Sequence, residues 1–150
     1  MQILDTAGQE KFWSLSQTNY KKADCCLLVY DITRKKTFED CKSYFKESIE
    51  ENCKKNVKVL LLGNKTDLEE EREVAPDEGA NFAEKNNYLF METSCLKNAN
   101  VADAFETLIE ITNREAKKEI QDNIEDNSHG MKISNKNTKD KKKSKKCLFF

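Results

Sequence analysis

Three short polar clusters carry side chains suited to chemistry: Asp5-Thr6-Ala7-Gly8-Gln9, Gly63-Asn64-Lys65-Thr66-Asp67 and Glu92-Thr93-Ser94-Cys95-Leu96. Each comes directly after an apolar run. An aspartate closing a buried strand is a rigid carboxylate suited to a hydrated Mg²⁺, which takes few protein oxygens and keeps several waters. Glycine at 8 lets a backbone N–H approach a phosphate closely, and Gln9 beside it can orient a water for in-line attack. In Asn64-Lys65-x-Asp67 a carboxylate offers two acceptors to adjacent N–H donors, the pattern on one edge of guanine. Adenine would present an amino group and a bare ring nitrogen there, so the carboxylate prefers guanine. The Ser94-Cys95 backbone adds an N–H for a base carbonyl. Alone, N-K-x-D in a charged chain is a common turn, and D-T-A-G-Q fits many strand-ending loops. The three together, in this order, are not a chance pattern.

The clusters need a frame that brings them together. Cys25–Tyr30, Val57–Leu62 and Tyr88–Met91 are short apolar runs bounded by polar residues, as strands buried on both faces are. Met1–Leu4 reads as a further, truncated strand. Phe38, Cys41, Phe45 and Ile49 recur at helical spacing, predicting a helix over roughly 37–53. A second helix begins near Pro76, where the missing N–H costs nothing, and carries Ala80, Phe82 and Ala83. A third has Val101, Ala104, Phe105, Leu108 and Thr112 on one face, with Asn98 or Asn100 placed to cap it. Alternating strands and helices imply right-handed crossovers and a mostly parallel α/β sheet. In such sheets ligands bind beyond the carboxyl ends of the strands, where all three clusters fall.

The 150 residues allow one domain with a real core, and their net charge of −1 hides two opposed blocks. From Met131 onward eight lysines face one aspartate, about +7, leaving about −8 on residues 1–130. The basic block suits an anionic partner. The six cysteines show no C-x-x-C pair and no zinc-like spacing with His129, so free thiols in a reducing, intracellular compartment are expected. Residues 1–20 lack the apolar core of a signal peptide, and no run approaches a membrane-spanning length. After about Lys118 apolar residues nearly vanish, so 1–120 reads as the domain and 121–150 as a disordered polybasic tail.

With these residues in view, the sequence resembles the Ras superfamily of small GTPases, most closely the Rab family, from Met1 to about Glu119. DTAGQEKF (5–12) looks like the second switch, NYKKAD (19–24) like the segment closing it, and LVYDIT (28–33) like a stretch common in Rabs. GNKTDL (63–68) and ETSC (92–95) look like the two guanine-recognition loops. The resemblance implies a P-loop NTPase-like fold and a switch that binds GTP/GDP with Mg²⁺, hydrolyses GTP and regulates vesicle traffic. It implies that Asp5 contacts magnesium through water, that the Gly8 N–H meets the γ-phosphate, and that Gln9 positions the attacking water. Asn64 and Asp67 would read the base, the Lys65 stem would lie along its ring, and Ser94 and Cys95 would complete the last loop. Effectors, an exchange factor and a GTPase-activating protein would engage the second switch. Leu4 departs from the tryptophan usual in Rabs, and Leu96 from the usual lysine, though its apolar stem can still pack on the base.

A G-x-x-x-x-G-K-[ST] loop is not among these residues; Gly63 fails because Lys58 occupies the place of the first glycine. The expectation is therefore an N-terminally truncated domain, a fragment of a complete GTPase that binds GTP poorly by itself. The alternative is a catalytically inactive, membrane-tethered interaction module. In this fold the first strand lies between the strand ending at Asp5 and the one ending at Asp31, so its loss is expected to expose two buried edges. At the other end, Cys147-Leu148-Phe149-Phe150 matches a C-a-a-X prenylation signal that favours geranylgeranyl. Lys141, Lys142, Lys143, Lys145 and Lys146 precede it, supplying the basic patch that complements one lipid. A prenyltransferase, an anionic membrane surface and a lipid-anchored position on a cytoplasmic membrane face are the partners and location expected from it. No aromatic residue interleaves the lysines to stack on bases, which argues against nucleic acid.

Overall fold

The structure, a computed structural model, describes residues 2–4, 20–128 and 147–149. Five strands form one sheet: β1 (Gln2–Leu4), β2 (Cys25–Asp31), β3 (Lys58–Asn64), β4 (Leu89–Thr93) and β5 (Cys147–Phe149). Their order is β1-β5-β2-β3-β4, with every pairing parallel. Between β2 and β3 the chain runs through α1 (Lys35–Asp40), a π-helical turn (Cys41–Phe45) and α2 (Lys46–Asn52). A 3₁₀ segment (Thr66–Glu71) and α3 (Pro76–Lys85) link β3 to β4, and α4 (Val101–Ser128) comes after β4.

Alternation along β2 and β3 divides the core between two faces of the sheet. Cys26, Leu28 and Tyr30 join Val59 and Leu61 against Phe38, Cys41, Ile49 and Ala83. Cys25 and Leu27 join Leu60 and Leu62 against Ala104 and Leu108 of α4. Burial on both faces explains why β2 and β3 read as unbroken apolar runs rather than alternating ones. The expected helix over 37–53 is present as one helical run, with a π turn at its middle.

Proline opens α3, and Asp77 and Glu78 in its first turn complement the helix dipole. Left-handed Asn87 (φ 56°) lies just past its end. Helix α4 runs antiparallel to the strands: the Asn100 side-chain amide donates to the Glu92 carbonyl near the end of β4, at 2.8 Å. Further along α4, Glu115 meets Lys58 at the start of β3, at 3.5 Å.

The carboxyl-terminal region differs from expectation in two ways. The last helix continues past residue 120 to Ser128. The sheet position expected to stand open between β1 and β2 is held by Cys147–Phe149, a segment apolar enough to serve as a strand. Among the described residues no helix is long and apolar enough to cross a membrane.

Candidate functional site

Strand register builds the site. Asp31 pairs with Asn64, and Asn64 with Thr93, so three strands end at one level. Beyond that level the chain must turn sharply. At Lys65 it does so with φ 75° and ψ 36°, a left-handed conformation that costs a non-glycine residue on the order of 1 kcal/mol and clusters at functional sites. The turn points the Lys65 ammonium back across the sheet end, where Nζ lies 2.6 Å from Asp31 Oδ2. The Thr33 N–H and hydroxyl both donate to Asp31 Oδ1, at 2.9 and 2.7 Å. Burial pushes the Asp31 carboxyl up, but hydrogen bonds from Lys65 and Thr33 outweigh it and hold the group below the usual carboxylate range.

The second and third clusters are locked together. Asn64 Oδ1 accepts the Cys95 N–H and the Thr93 hydroxyl, each at 3.3 Å. The Thr66 hydroxyl donates to the Thr93 carbonyl at 3.2 Å. The fully buried Ser94 hydroxyl donates a short hydrogen bond to Asp67 Oδ1 and accepts the Lys97 N–H at 3.0 Å. Paired hydrogen bonds between Ser94 and Ala99, at 3.1 and 2.9 Å, close the last loop. Asn98 and Asn100 supply its left-handed turns, a conformation asparagine tolerates better than most residues.

One buttress lies beneath. Arg72, after the 3₁₀ segment, donates to both oxygens of Glu92 at 2.7 and 3.0 Å and to both of Glu69 at 2.8 and 2.7 Å. It also reaches the Val74 carbonyl at 2.9 Å. Glu92 sits in β4 directly before the last loop, so this fork ties the segment carrying Asp67 to the strand that leads into Ser94.

Asn64, Lys65, Asp67, Cys95 and Leu96 line one cavity of about 420 Å³, within the range of small-molecule sites. Residues some thirty positions apart in sequence thus meet in one place. The Asp67 carboxylate keeps acceptor capacity beyond the one bond it takes from Ser94. Leu96, 83% exposed, offers an apolar stem at the rim. The Cys95 N–H, expected to meet a base carbonyl, donates instead to Asn64 at a long distance, so an entering oxygen would compete for it. Asp5, Gly8 and Gln9 lie outside the described residues, and Cys147 is described only by its place in β5.

Sequence reasoning gave no individual role to Asp31, Thr93 or Arg72. The first two were accessible by aligning parallel strands by their ends. Arg72 pairs across twenty positions with Glu92, and nothing in the pattern marks that.

An α/β sheet with N-K-x-D and E-T-S loops around one cavity defines a small GTPase-type nucleotide fold, and comparison with known proteins agrees. The model of the Ras family matches residues 1–114. The chain belongs to the Ras family. Within it the chain is Rab-like: it is 46% identical over 110 residues to the Ras-related protein Rab-2B of Dictyostelium discoideum, covering 71% of this chain and 52% of that protein. It is also 46% identical over 108 residues to human Rab-17, covering 72% and 51%. Mouse Rab-17 matches at the same identity over 108 residues. The chain spans about half the length of the curated relatives it matches.

Proposed function

We propose that this chain carries the guanine-reading half of a Rab-like molecular switch. The carrying observation is the junction of Asn64, Asp67 and Cys95 around one cavity, with Asp67 oriented by the buried Ser94 hydroxyl behind it. The Asp67 carboxylate accepts the two adjacent N–H groups of guanine, the Cys95 N–H serves the base carbonyl, and the stems of Lys65 and Leu96 flank the ring. GTP/GDP and Mg²⁺ are the proposed ligands, with Asp5 on the hydrated metal, the Gly8 N–H at the γ-phosphate and Gln9 on the attacking water.

Hydrolysis is proposed for a chain that also carries a glycine-rich phosphate loop. There, Gln9→Leu should slow phosphate release from GTP strongly, and unchanged release would overturn the role of Gln9. We further propose regulation of vesicle traffic from a cytoplasmic membrane face, through effectors, an exchange factor and a GTPase-activating protein at the second switch. Cys147 is the proposed prenylation site, and the lysines before it are the contact with anionic lipid. Cys147→Ser should turn a membrane-bound reporter cytosolic; retention at the membrane would overturn the anchor.

A further inference from the structure

Lys65 and Asp67 line the same cavity, and an ammonium on a flexible four-carbon stem is a ready partner for a carboxylate so close along the chain. Were the two to pair, the ammonium would fill the acceptor that Asp67 keeps open beyond its bond from Ser94. Among the described residues the ion-pair partner of Lys65 is instead Asp31, with Nζ 2.6 Å from Oδ2.

Asp31 is placed and fixed for that hold. In the sheet register it stands beside Asn64, so the next residue along β3 turns out over its carboxylate. Its side chain is 13% exposed against 47% for Lys65, which makes the aspartate the fixed partner and the lysine the one that adapts. Thr33 occupies Oδ1 through its N–H and its hydroxyl, leaving Oδ2 for the ammonium. The backbone is held as well: the Asp31 N–H donates to the Thr37 hydroxyl at 3.0 Å, and that hydroxyl donates to the Arg34 carbonyl at 2.7 Å. Burial works against ionisation of Asp31, but the bonds from Lys65 and Thr33 outweigh it.

We propose that Asp31 is a positioning residue for the cavity: by holding the Lys65 ammonium at the sheet end, it keeps the Asp67 carboxylate free for a ligand. This rests on the reading of Asp67 as the base acceptor, and it narrows the chemistry of what enters. With Lys65 neutralised by Asp31, Asp67 is the charge left among the lining residues. The cavity therefore takes a neutral ring with adjacent N–H donors, and its lysine contributes a methylene stem rather than a cation. Release of the ammonium would close the Asp67 acceptor and draw the stem away from the ring.

The test is a set of charge-removing variants read by NMR on the ¹⁵N-labelled chain. Asp31→Asn keeps the shape of the side chain and an acceptor for Thr33 while removing the charge. Lys65→Met keeps an unbranched apolar stem without the ammonium. Guanosine affinity should fall about fivefold in Asp31→Asn, the effect of one exposed ion pair formed in the wrong place. In Asp31→Asn/Lys65→Met it should return to within about twofold of the parent, because the ammonium that quenches Asp67 is gone. A merely structural role for Asp31 predicts no such rescue. A loss that persists in the double variant overturns the proposal, and so does full affinity in Asp31→Asn. The Lys65 ammonium signal reads the same step without a ligand. Adding Asp67→Asn should leave that signal in place in the parent and move it in the Asp31→Asn background; a signal indifferent to Asp67 in both overturns the proposal. If the parent gives no guanosine response, the base reading fails, while the ammonium signal still decides which carboxylate holds Lys65.

Discussion

Tyr30 is 2% exposed, and its hydroxyl has no hydrogen-bond partner among the described residues. It sits under the base loop: a Cβ at Gly63, the residue before Asn64, would lie 2.8 Å from this oxygen. A Cβ at Gly79 in α3 would lie 2.6 Å from it and 2.6 Å from Phe90 Cε2. Two substitutions, made singly and together, turn these distances into a cycle. Tyr30→Phe removes a buried polar atom whose desolvation is uncompensated, worth about 1–3 kcal/mol; we expect a gain near 1 kcal/mol, about 4 °C in Tm. Gly79→Ala would favour an exposed helix by about 1 kcal/mol, but contacts this short with stiff rings put overpacking near the upper end of about 1–3 kcal/mol. The net expectation is a loss of about 2 kcal/mol. In the Tyr30→Phe background one of the two clashing partners is gone, so the loss should fall to about 1 kcal/mol, a coupling typical of touching residues. Urea denaturation of the four chains, monitored by circular dichroism, measures all terms. Additive effects within about 0.3 kcal/mol, or a stability loss on Tyr30→Phe, would refute the reasoning.

Arg72→Ala leaves the partly buried Glu92 without its partner and should cost about 1–3 kcal/mol, the penalty for leaving such a group unsatisfied; urea unfolding measures it, and a cost under about 0.5 kcal/mol would mean the fork is not a buttress. The Asp31 carboxyl is held below its usual range, so its contribution is full above the unfolded value of about 3.9 and lost as pH falls through the lower folded value. Side-chain NMR titration should show that low midpoint, and Lys65→Met should raise it. Burial pushes the Cys41 thiol up to about 12 and Cys53 up to about 11, whereas Cys95 is exposed. In a Cys147→Ser background, mild alkylation and mass spectrometry should therefore find Cys95 modified first; equal modification of Cys41 would contradict the fold.

How legible this was depended on the range of each interaction. Strand β3 announced itself as an apolar run because both its faces are covered, β2 and β4 because theirs are largely so, and Pro76 marked its helix start. Asn64, Asp67 and Ser94 were readable because a rigid strand end fixes the positions of the residues directly after it. Asp31 emerges only when the strands are aligned by their ends, since its role comes from lateral register with Asn64 rather than from any neighbour in sequence. The π turn at Cys41–Phe45 lies within a helical period that looks unbroken. Cys147–Phe149 read as a modification signal, and four apolar residues after a lysine run carry nothing to separate that from a strand.

The most direct test of guanine recognition is a backbone NMR titration of the ¹⁵N-labelled chain with guanosine and with adenosine at millimolar concentration, which needs no phosphate-binding loop. Guanosine should shift the Cys95 amide and its neighbours Ser94 and Leu96, together with the side-chain amide of Asn64. Adenosine should shift them far less, and Asp67→Ala should abolish the difference. Equal responses to both nucleosides, or shifts confined to the opposite end of the sheet, would contradict the assignment of this cavity to guanine.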